Sequence, residues 1–413
     1  MALYSTSVRT RDLDPSSNIP NQKVEFRLPN DASFYPNMRL ANVGVIQAGN
    51  HHYNRIGGAY ACIKHVRLLS NGQELDGLRF ANRYLSWLNI NNSNEDNLNV
   101  NKILNKNSLG YDVFPNHEIN SVREQRVPAQ RDEALLSHLD LRKCLPLLSA
   151  MPVLDTSLFP NCVLQVELED DPETVTTVNN QATSVQSPVL LIDEITSPEV
   201  QGSLKKELMK GVVYSKVEHD VVRCPAQANP ASTNAPNKQD VSLRYNAYDD
   251  KFISRIVFMK TFANKSLYIN TANSVVGLGD FGSLACHKER WNLRLNGALM
   301  FPSNLENKST RAQYLFDAFG KVNYIPYGDY TCVGLDEVNV QQVNVRSVPY
   351  FANTQQGQLV GSMSFVGFNI NEKVNEMSIL FGRDAPHSAA KPNELNASSF
   401  PNTQELDIHA YAE

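Results

Sequence analysis

The run Gly277-Leu278-Gly279-Asp280-Phe281-Gly282 has the GxGxxG spacing that lets a chain turn tightly against a pyrophosphate, and it follows Ser274-Val275-Val276. Dinucleotide binding would also need a βαβ unit and a carboxylate roughly 20 residues later. Residues 297–302 read Gly-Ala-Leu-Met-Phe-Pro, without a carboxylate, and their surroundings read as a hairpin. The expectation is a tight glycine turn. The embedded Asp280-Phe281-Gly282 matches a kinase magnesium triplet, but no HRD loop or VAIK strand accompanies it. His51, His52, Cys62 and His65 are close enough in sequence to suggest zinc, since imidazole and thiolate are its ligands. They lack the spacing of a finger or a zincin, and the expectation is loop histidines beside a core thiol. Cys286 and His287 could pair a thiol with a base, yet adjacent strand residues face opposite ways. Asp193 and Glu194, in VLLIDEI, are expected as rim or interface charges rather than an acid–base pair. The sequence holds no GxSxG, HExxH or P-loop. It therefore predicts no catalytic, cofactor-binding or metal-ligating residue.

Two other motifs look structural. Asn71-Gly72 and Asn296-Gly297 each sit between an apolar–polar strand and a short return segment, ahead of an amphipathic helical stretch. Asn-Gly suits a two-residue type I′ turn, because both of its residues take positive φ at low cost. Ala312, Leu315, Phe316 and Phe319 follow the i, i+3, i+4, i+7 rule, and Phe80, Tyr84 and Trp87 follow i, i+4, i+7. One fold unit used twice is the implied organisation.

The chain of 413 residues can bury large cores without disulfides or metals. Its net charge is −5 and it has no run of Lys or Arg, which argues against direct coating of phosphate. The six cysteines (Cys62, Cys144, Cys162, Cys224, Cys286 and Cys332) are scattered without a CxxC and are expected as reduced thiols. The N-terminus lacks an apolar signal core, and no stretch of about 18 apolar residues occurs, so neither a secretory leader nor a membrane span is expected. Sequons at Asn91, Asn264, Asn307 and Asn396 read as chance in an Asn-rich chain.

The elements that would position these residues are mostly strands. Residues 1–22 are polar, with Pro15 and Pro20, and are expected as an arm. Val24, Phe26 and Leu28 alternate with polar residues, and Met38–Ile46 is a second strand. Residues 89–130 read as a long surface loop. A short helical piece carrying Leu135 and Leu139 is expected next. Leu164, Val166 and Leu168 should face one way, and Val189–Ile195 is another strand. Ser203 can cap a helix running to Lys210, with Gly211 at C′. Val212–Val222 would begin a new set of strands, and residues 225–239 form a Pro- and Asn-rich loop. Phe252–Phe262 is apolar on both faces. Gln341-Gln342 reads as a β-bulge, and Met363–Ile370 and Leu406–Ala410 supply late strands. The expected fold is all-β: an arm over 1–22, one jelly-roll sandwich over 23–200, a linker helix over 201–211 and a second jelly roll over 212–413.

Three segments carry a resemblance: LPLLSAMPVLDTSLFPNCVLQVELE at 145–169, VLLIDEITSPEVQGSLKKELMKGVVYSKVEHDVV at 189–222, and LRLNGALMFP from 293 with a Tyr-containing helix reaching 319. Their order resembles the double jelly-roll major capsid proteins of double-stranded DNA viruses, among them virophages, polinton-like viruses and the nucleocytoplasmic large DNA viruses. In that family they would be a proline-rich turn entering a strand of the first roll, the junction between rolls, and a hairpin of the second roll. The resemblance implies a structural capsid protein forming pseudo-hexagonal homotrimers that tile an icosahedral shell, assembled in the host cytoplasm or nucleus. Its partners would be neighbouring trimers and minor or penton proteins, without sequence-specific nucleic-acid binding. Loops 89–130, 225–239 and 383–404 would be outward towers or clasps. The alternatives are a two-domain β-sandwich carbohydrate-binding or attachment protein, with Tyr245, Tyr248, Tyr324, Tyr327 and Tyr330 lining its cleft, and an oxidoreductase built on Gly277–Gly282.

Overall fold

Strict alternation of apolar and polar residues marks the chain's most regular strands, because successive strand side chains point to opposite faces. In the computed structural model the described residues are 7–19, 22–47, 50–52, 58–91, 137–169, 183–185, 188–227, 237–263, 289–320, 352–353, 358–359, 365–385 and 405–413. They form two compact units: the first takes the described residues up to Val217 except 87–91, and the second takes residues 87–91 and those from Glu218 onward.

Eight strands build the first unit: β1 (Val8–Leu13), β2 (Lys23–Arg27), β3 (Ser33–Ala41), β4 (Ile63–Ser70), β5 (Gln73–Arg79), β6 (Leu154–Asp155), β7 (Val163–Leu168) and β8 (Val189–Ile195). One sheet runs β1-β8-β3-β6, with His138–Asp140 also on β3; the other runs β2-β7-β4-β5, with Ser17–Ile19 on the outer side of β2. Every pairing is antiparallel. First pairs with eighth, second with seventh, third with sixth and fourth with fifth. That is one long antiparallel hairpin rolled into two facing sheets, the jelly roll.

The second unit repeats the scheme with β9 (Glu218–Cys224), β10 (Asn237–Tyr245), β11 (Lys251–Phe262), β12 (Arg290–Leu295), β13 (Ala298–Leu299), β14 (Val366–Val374), β15 (Met377–Ala385) and β16 (Leu406–Ala412). Its sheets run β9-β16-β11-β14 and β10-β15-β12-β13. Adding eight to each strand of the first unit reproduces the second. Among the described residues four α-helices complete the main elements: α1 (Ala81–Asn91), α2 (Pro146–Ala150), α3 (Pro198–Leu208) and α4 (Lys308–Phe319). α1 follows β5 as α4 follows β13. No helix among the described residues is long and apolar enough to cross a membrane.

The cores follow the pattern. Val24, Phe26, Val66, Leu68, Leu164, Val166, Leu190 and Ile192 are fully buried in the first roll. In the second, Phe258 and Phe381 close on Trp291, with ring centroids 6.0 and 4.9 Å from it. β11 is buried on both faces from Ile256 to Thr261, whereas Phe252 at its start is 68% exposed.

Several boundaries differ from the sequence reading. Residues 8–13, expected in an arm, are β1, an integral strand laddered on β8 from Val8↔Ile195 to Leu13↔Leu190. The strand expected at Met38–Ile46 starts at Ser33 and tolerates Pro36 because the β3–β8 register shifts there. Leu139 lies in a strand on β3, not a helix, and Leu135 is outside the described residues. α3 begins at Pro198 rather than after Ser203: proline's fixed φ suits the first helical position, and Glu199 stands in the first turn. Residues 211–217 form no strand, so the second set starts at Glu218. The inward residues of α4 are Arg311, Leu315 and Ala318, while Phe316 is 47% exposed. Phe80 precedes α1 at φ 48°, and Tyr84 and Trp87 are the buried aromatics of that helix. Loop 89–130 beyond Asn91, residues 228–236 and 386–404 of the other two loops, and Gln341-Gln342 lie outside the described residues.

Candidate functional site

At both Asn-Gly pairs the backbone enters the left-handed region. φ is 49° and 79° at Asn71 and Gly72, and 49° and 85° at Asn296 and Gly297. The turns join β4 to β5 and β12 to β13. Each tip also docks on the loop between the sixth and seventh strands of its own roll. Asn71 N–H donates to the Pro160 carbonyl at 3.1 Å, and Asn161 Nδ2 donates to Asn71 Oδ1 at 2.8 Å. Asn296 Nδ2 donates to the Lys373 carbonyl at 3.1 Å, while its Oδ1 accepts from Asn375 N–H at 2.7 Å and Glu376 N–H at 3.3 Å. The sequence signals the turns but not what they touch.

Among the described residues, Asp193, Glu194 and Asp155 form clamps between elements. Asp193 Oδ1 accepts from Thr10 Oγ1 at 2.7 Å and its Oδ2 from Asn37 Nδ2 at 2.7 Å, and Glu194 pairs with Arg11 at 2.6 Å. These contacts fix the edge strand β1 to β8 and β3. Asp155, fully buried, accepts from Ser33 Oγ at 2.6 Å, Ser157 N–H at 2.9 Å and Lys205 Nζ at 2.7 Å, joining β6, β3 and α3. Burial pushes its carboxyl up, but hydrogen bonds from Lys205, Ser157 and Ser33 outweigh that and hold it below the usual value. Asp76 Oδ2 accepts from Leu147 N–H at 2.9 Å, at the start of α2; burial holds its carboxyl above the ordinary range.

The second roll holds two networks that the sequence pattern does not announce. Glu289 Oε1 accepts from Lys260 Nζ at 3.2 Å, Arg311 Nη1 at 2.9 Å and Trp291 Nε1, with all three charged groups almost wholly buried. Lys260 inside the apolar run of β11 is the one sequence signal of it, since a buried ammonium requires a partner. Arg290 donates to Asp384 Oδ1 at 2.6 Å and to Asp240 Oδ1 at 3.0 Å, across β12, β15 and β10. A Cβ on Gly382 would stand 2.1 Å from Asp240 Oδ1 and 2.7 Å from Arg290 Nε, so the clamp exists because that position is glycine.

Cys62 and Cys144 are fully buried, and burial pushes their thiols well up; Cys162 is pushed up to about 12. His65 pairs with Glu167 at 3.4 Å, and burial lowers its tendency to protonate. His51 and His52 belong to a short strand on Val45–Gln47. Among the described residues, no three His, Cys, Asp or Glu side chains gather as a metal would need. Tyr245 and Tyr248 are core residues: their hydroxyls donate to the Ile408 and Ala410 carbonyls at 3.0 and 2.7 Å, so they line no cleft. Gly277–Gly282, Cys286, His287, Cys332, Tyr324, Tyr327 and Tyr330 lie outside the described residues.

No protein-family model and no curated protein matches the sequence. Solved structures do match. The mavirus major capsid protein aligns with a TM-score of 0.55 at 10% identity, over 98% of this chain and 86% of its own. A chain of the Sputnik virophage structure aligns at 0.53 and 10% identity, over 98% and 85%. PBCV-1 VP54, as fitted into a reconstruction of Sputnik, aligns at 0.51 and 11%, over 98% and 92%. With the strand order of both units, this establishes that the chain has the double jelly-roll fold of viral major capsid proteins.

Proposed function

We propose that this chain is the major capsid protein of an icosahedral virus. Its role is structural: three copies form a pseudo-hexagonal tile, and tiles close into a shell around a double-stranded DNA genome. The observation that carries this reading is the eight-strand order used twice, with a match to the mavirus protein over 98% of this chain and 86% of its own. Two similar rolls taken three times around an axis supply six similar corners, and a head-to-tail contact closes when the rotation is three-fold. The net charge of −5, without a basic run, supports enclosure of the genome rather than a grip on it. In the virion its neighbours are other tiles and minor or penton proteins. The test is mass photometry and negative-stain microscopy of the purified protein at micromolar concentration and raised salt. Three-copy particles or hexagonal tiles are expected; a monomer mass overturns the reading. Retarded DNA at physiological salt would overturn the enclosure clause alone.

A further inference from the structure

The first roll carries an open apolar groove of about 360 Å³ where α2, α3 and the segment after it approach β5. Leu75, Leu147, Met151, Phe159, Met209 and Val212 line it. That volume lies within the range of roughly 300–1,000 Å³ over which clefts bury whole small molecules, so one aromatic side chain fits. Its lip is apolar and exposed: Met209 is 70% exposed, Val213 97% and Leu158 41%. Such a cluster is unusual on a surface that meets only water.

The second roll carries the converse shape. Phe252, at the head of β11, is 68% exposed and projects beside the β10–β11 turn. The charges around the two features are complementary. Lys206 and Lys210 flank Met209, exposed and without an ion pair among the described residues. With Lys205 and Lys216 they outnumber the solvent-reaching carboxylates near the groove, Glu74 and Glu207, because Asp76 and Asp155 are fully buried in networks of their own. Around Phe252 the balance reverses: Glu218, Asp249, Asp250, Glu372 and Glu376 exceed Arg244, Lys251 and Lys373. Asp250 is 81% exposed.

We infer that the groove receives Phe252 from a second copy of this chain, with Asp249 and Asp250 against Lys206 and Lys210. This rests on the self-assembly reading above and specifies its contact. The contact is heterologous, first roll to second roll, so it can close into a ring. A central aromatic anchor in an apolar pocket with a charged rim is the usual energetic centre of a protein interface.

The test compares the wild type with Met209→Glu and Phe252→Ser, both exposed positions. Melting curves check the fold and mass photometry reads the assembly. Each variant should weaken association at least tenfold while melting like the wild type. Lys210→Glu and Asp250→Lys should each weaken association, and the two together should restore it. Met209→Cys chains mixed with Phe252→Cys chains should form a disulfide-linked pair that neither variant forms alone. This second measurement decides if a variant melts low. Wild-type trimers that survive both substitutions, with no cross-link in the mixture, overturn the contact and leave the assembly reading standing. A monomeric wild type overturns the assembly reading first.

Discussion

The two rolls share a strand order but hold corresponding strands together by different means. Across the second, seventh and fourth strands of the first roll, Glu25, Gln165 and Arg67 stand in one row. Gln165 relays between its neighbours, accepting from Arg67 Nη2 and donating to Glu25 Oε1 at 2.6 Å. On the equivalent strands of the second roll the row is Asp240, Gly382 and Arg290. With no side chain in the middle, Arg290 reaches Asp240 directly and Asp384 as well. The sixth strands differ in the opposite sense. β14 has nine residues and a long ladder on β11, whereas β6 has two residues on β3 and leans on the Asp155 network. A jelly roll thus fixes which strands meet, while the join itself is made by ladder, relay or direct ion pair according to the side chains present.

The direct join should be the most fragile to substitution. Gly382→Ala puts a Cβ into Asp240 and Arg290, and displacing Arg290 strands the buried Asp384. Breaking a buried pair by removing one side of it costs about 3–5 kcal/mol. A chemical denaturation series should show that loss. Asp240→Ala should cost under about 1 kcal/mol, because that carboxylate is 61% exposed. Equal losses would show that Gly382 matters for some reason other than the clamp.

The short β6 should come next. Asp155→Asn keeps the shape but loses the charge that Lys205, Ser157 and Ser33 address, an expected cost of about 2–3 kcal/mol. The pH dependence gives an independent reading. Asp155 is held below the usual carboxyl value in the folded chain, so its contribution is complete above the ordinary carboxylate range. It is lost as pH falls through that range towards the folded value. Melting temperature against pH should therefore fall less steeply in acid for Asp155→Asn than for the wild type. Parallel curves would remove Asp155 from the account.

What could be read in advance tracks how local each cause is. Leu164, Val166 and Leu168 alternate cleanly and are buried as strand geometry demands. β1 escaped because VRTRDL has no apolar face. Its pairing is made by a ladder and by Thr10 and Arg11 on β8, residues more than 180 positions away. The start of α3 was legible in Ser197-Pro198-Glu199, but Ser203 offered an equally good cap within the same stretch. The inward face of α4 includes Arg311, which a hydrophobic pattern assigns to solvent. The buried Glu289, 2.9 Å away, makes that position favourable. The Arg290 clamp and the Asp155 network were hidden for the same reason: their partners meet through topology, not spacing.

The hairpin tips offer a milder contrast. Replacing Asn by Gly at these turns keeps the left-handed backbone accessible and removes only side-chain hydrogen bonds. Asn296 has three such bonds, one to Lys373 at the end of β14 and two to the loop between β14 and β15, and Asn71 has one to Asn161. Asn296→Gly should cost about 1–3 kcal/mol and Asn71→Gly about 0.5–1 kcal/mol. Hydrogen exchange should rise at Asn375 and Glu376 in the first variant. If both variants lose the same stability, the tip contacts are incidental and only the turn conformation counts.

The relay should be the most forgiving join. Glu25 and Arg67 are only partly buried, so both can turn to water when Gln165 is shortened. Gln165→Ala should therefore cost about 1 kcal/mol, against several for Gly382→Ala on the equivalent strand. A small acid effect should accompany it. Lys23 and then Gln165 hold the Glu25 carboxyl below its ordinary value, so this pair's stabilisation is present above the carboxylate range and fades as pH falls through it. Without Gln165 the carboxyl should titrate closer to its ordinary value, a shift that NMR of the Glu25 side chain would read directly. An unchanged titration would mean that Lys23 alone, 2.7 Å away, sets the charge of Glu25 and that the relay carries no electrostatic load. The two rolls would then differ at this row in kind, one joined by charge and the other only by shape.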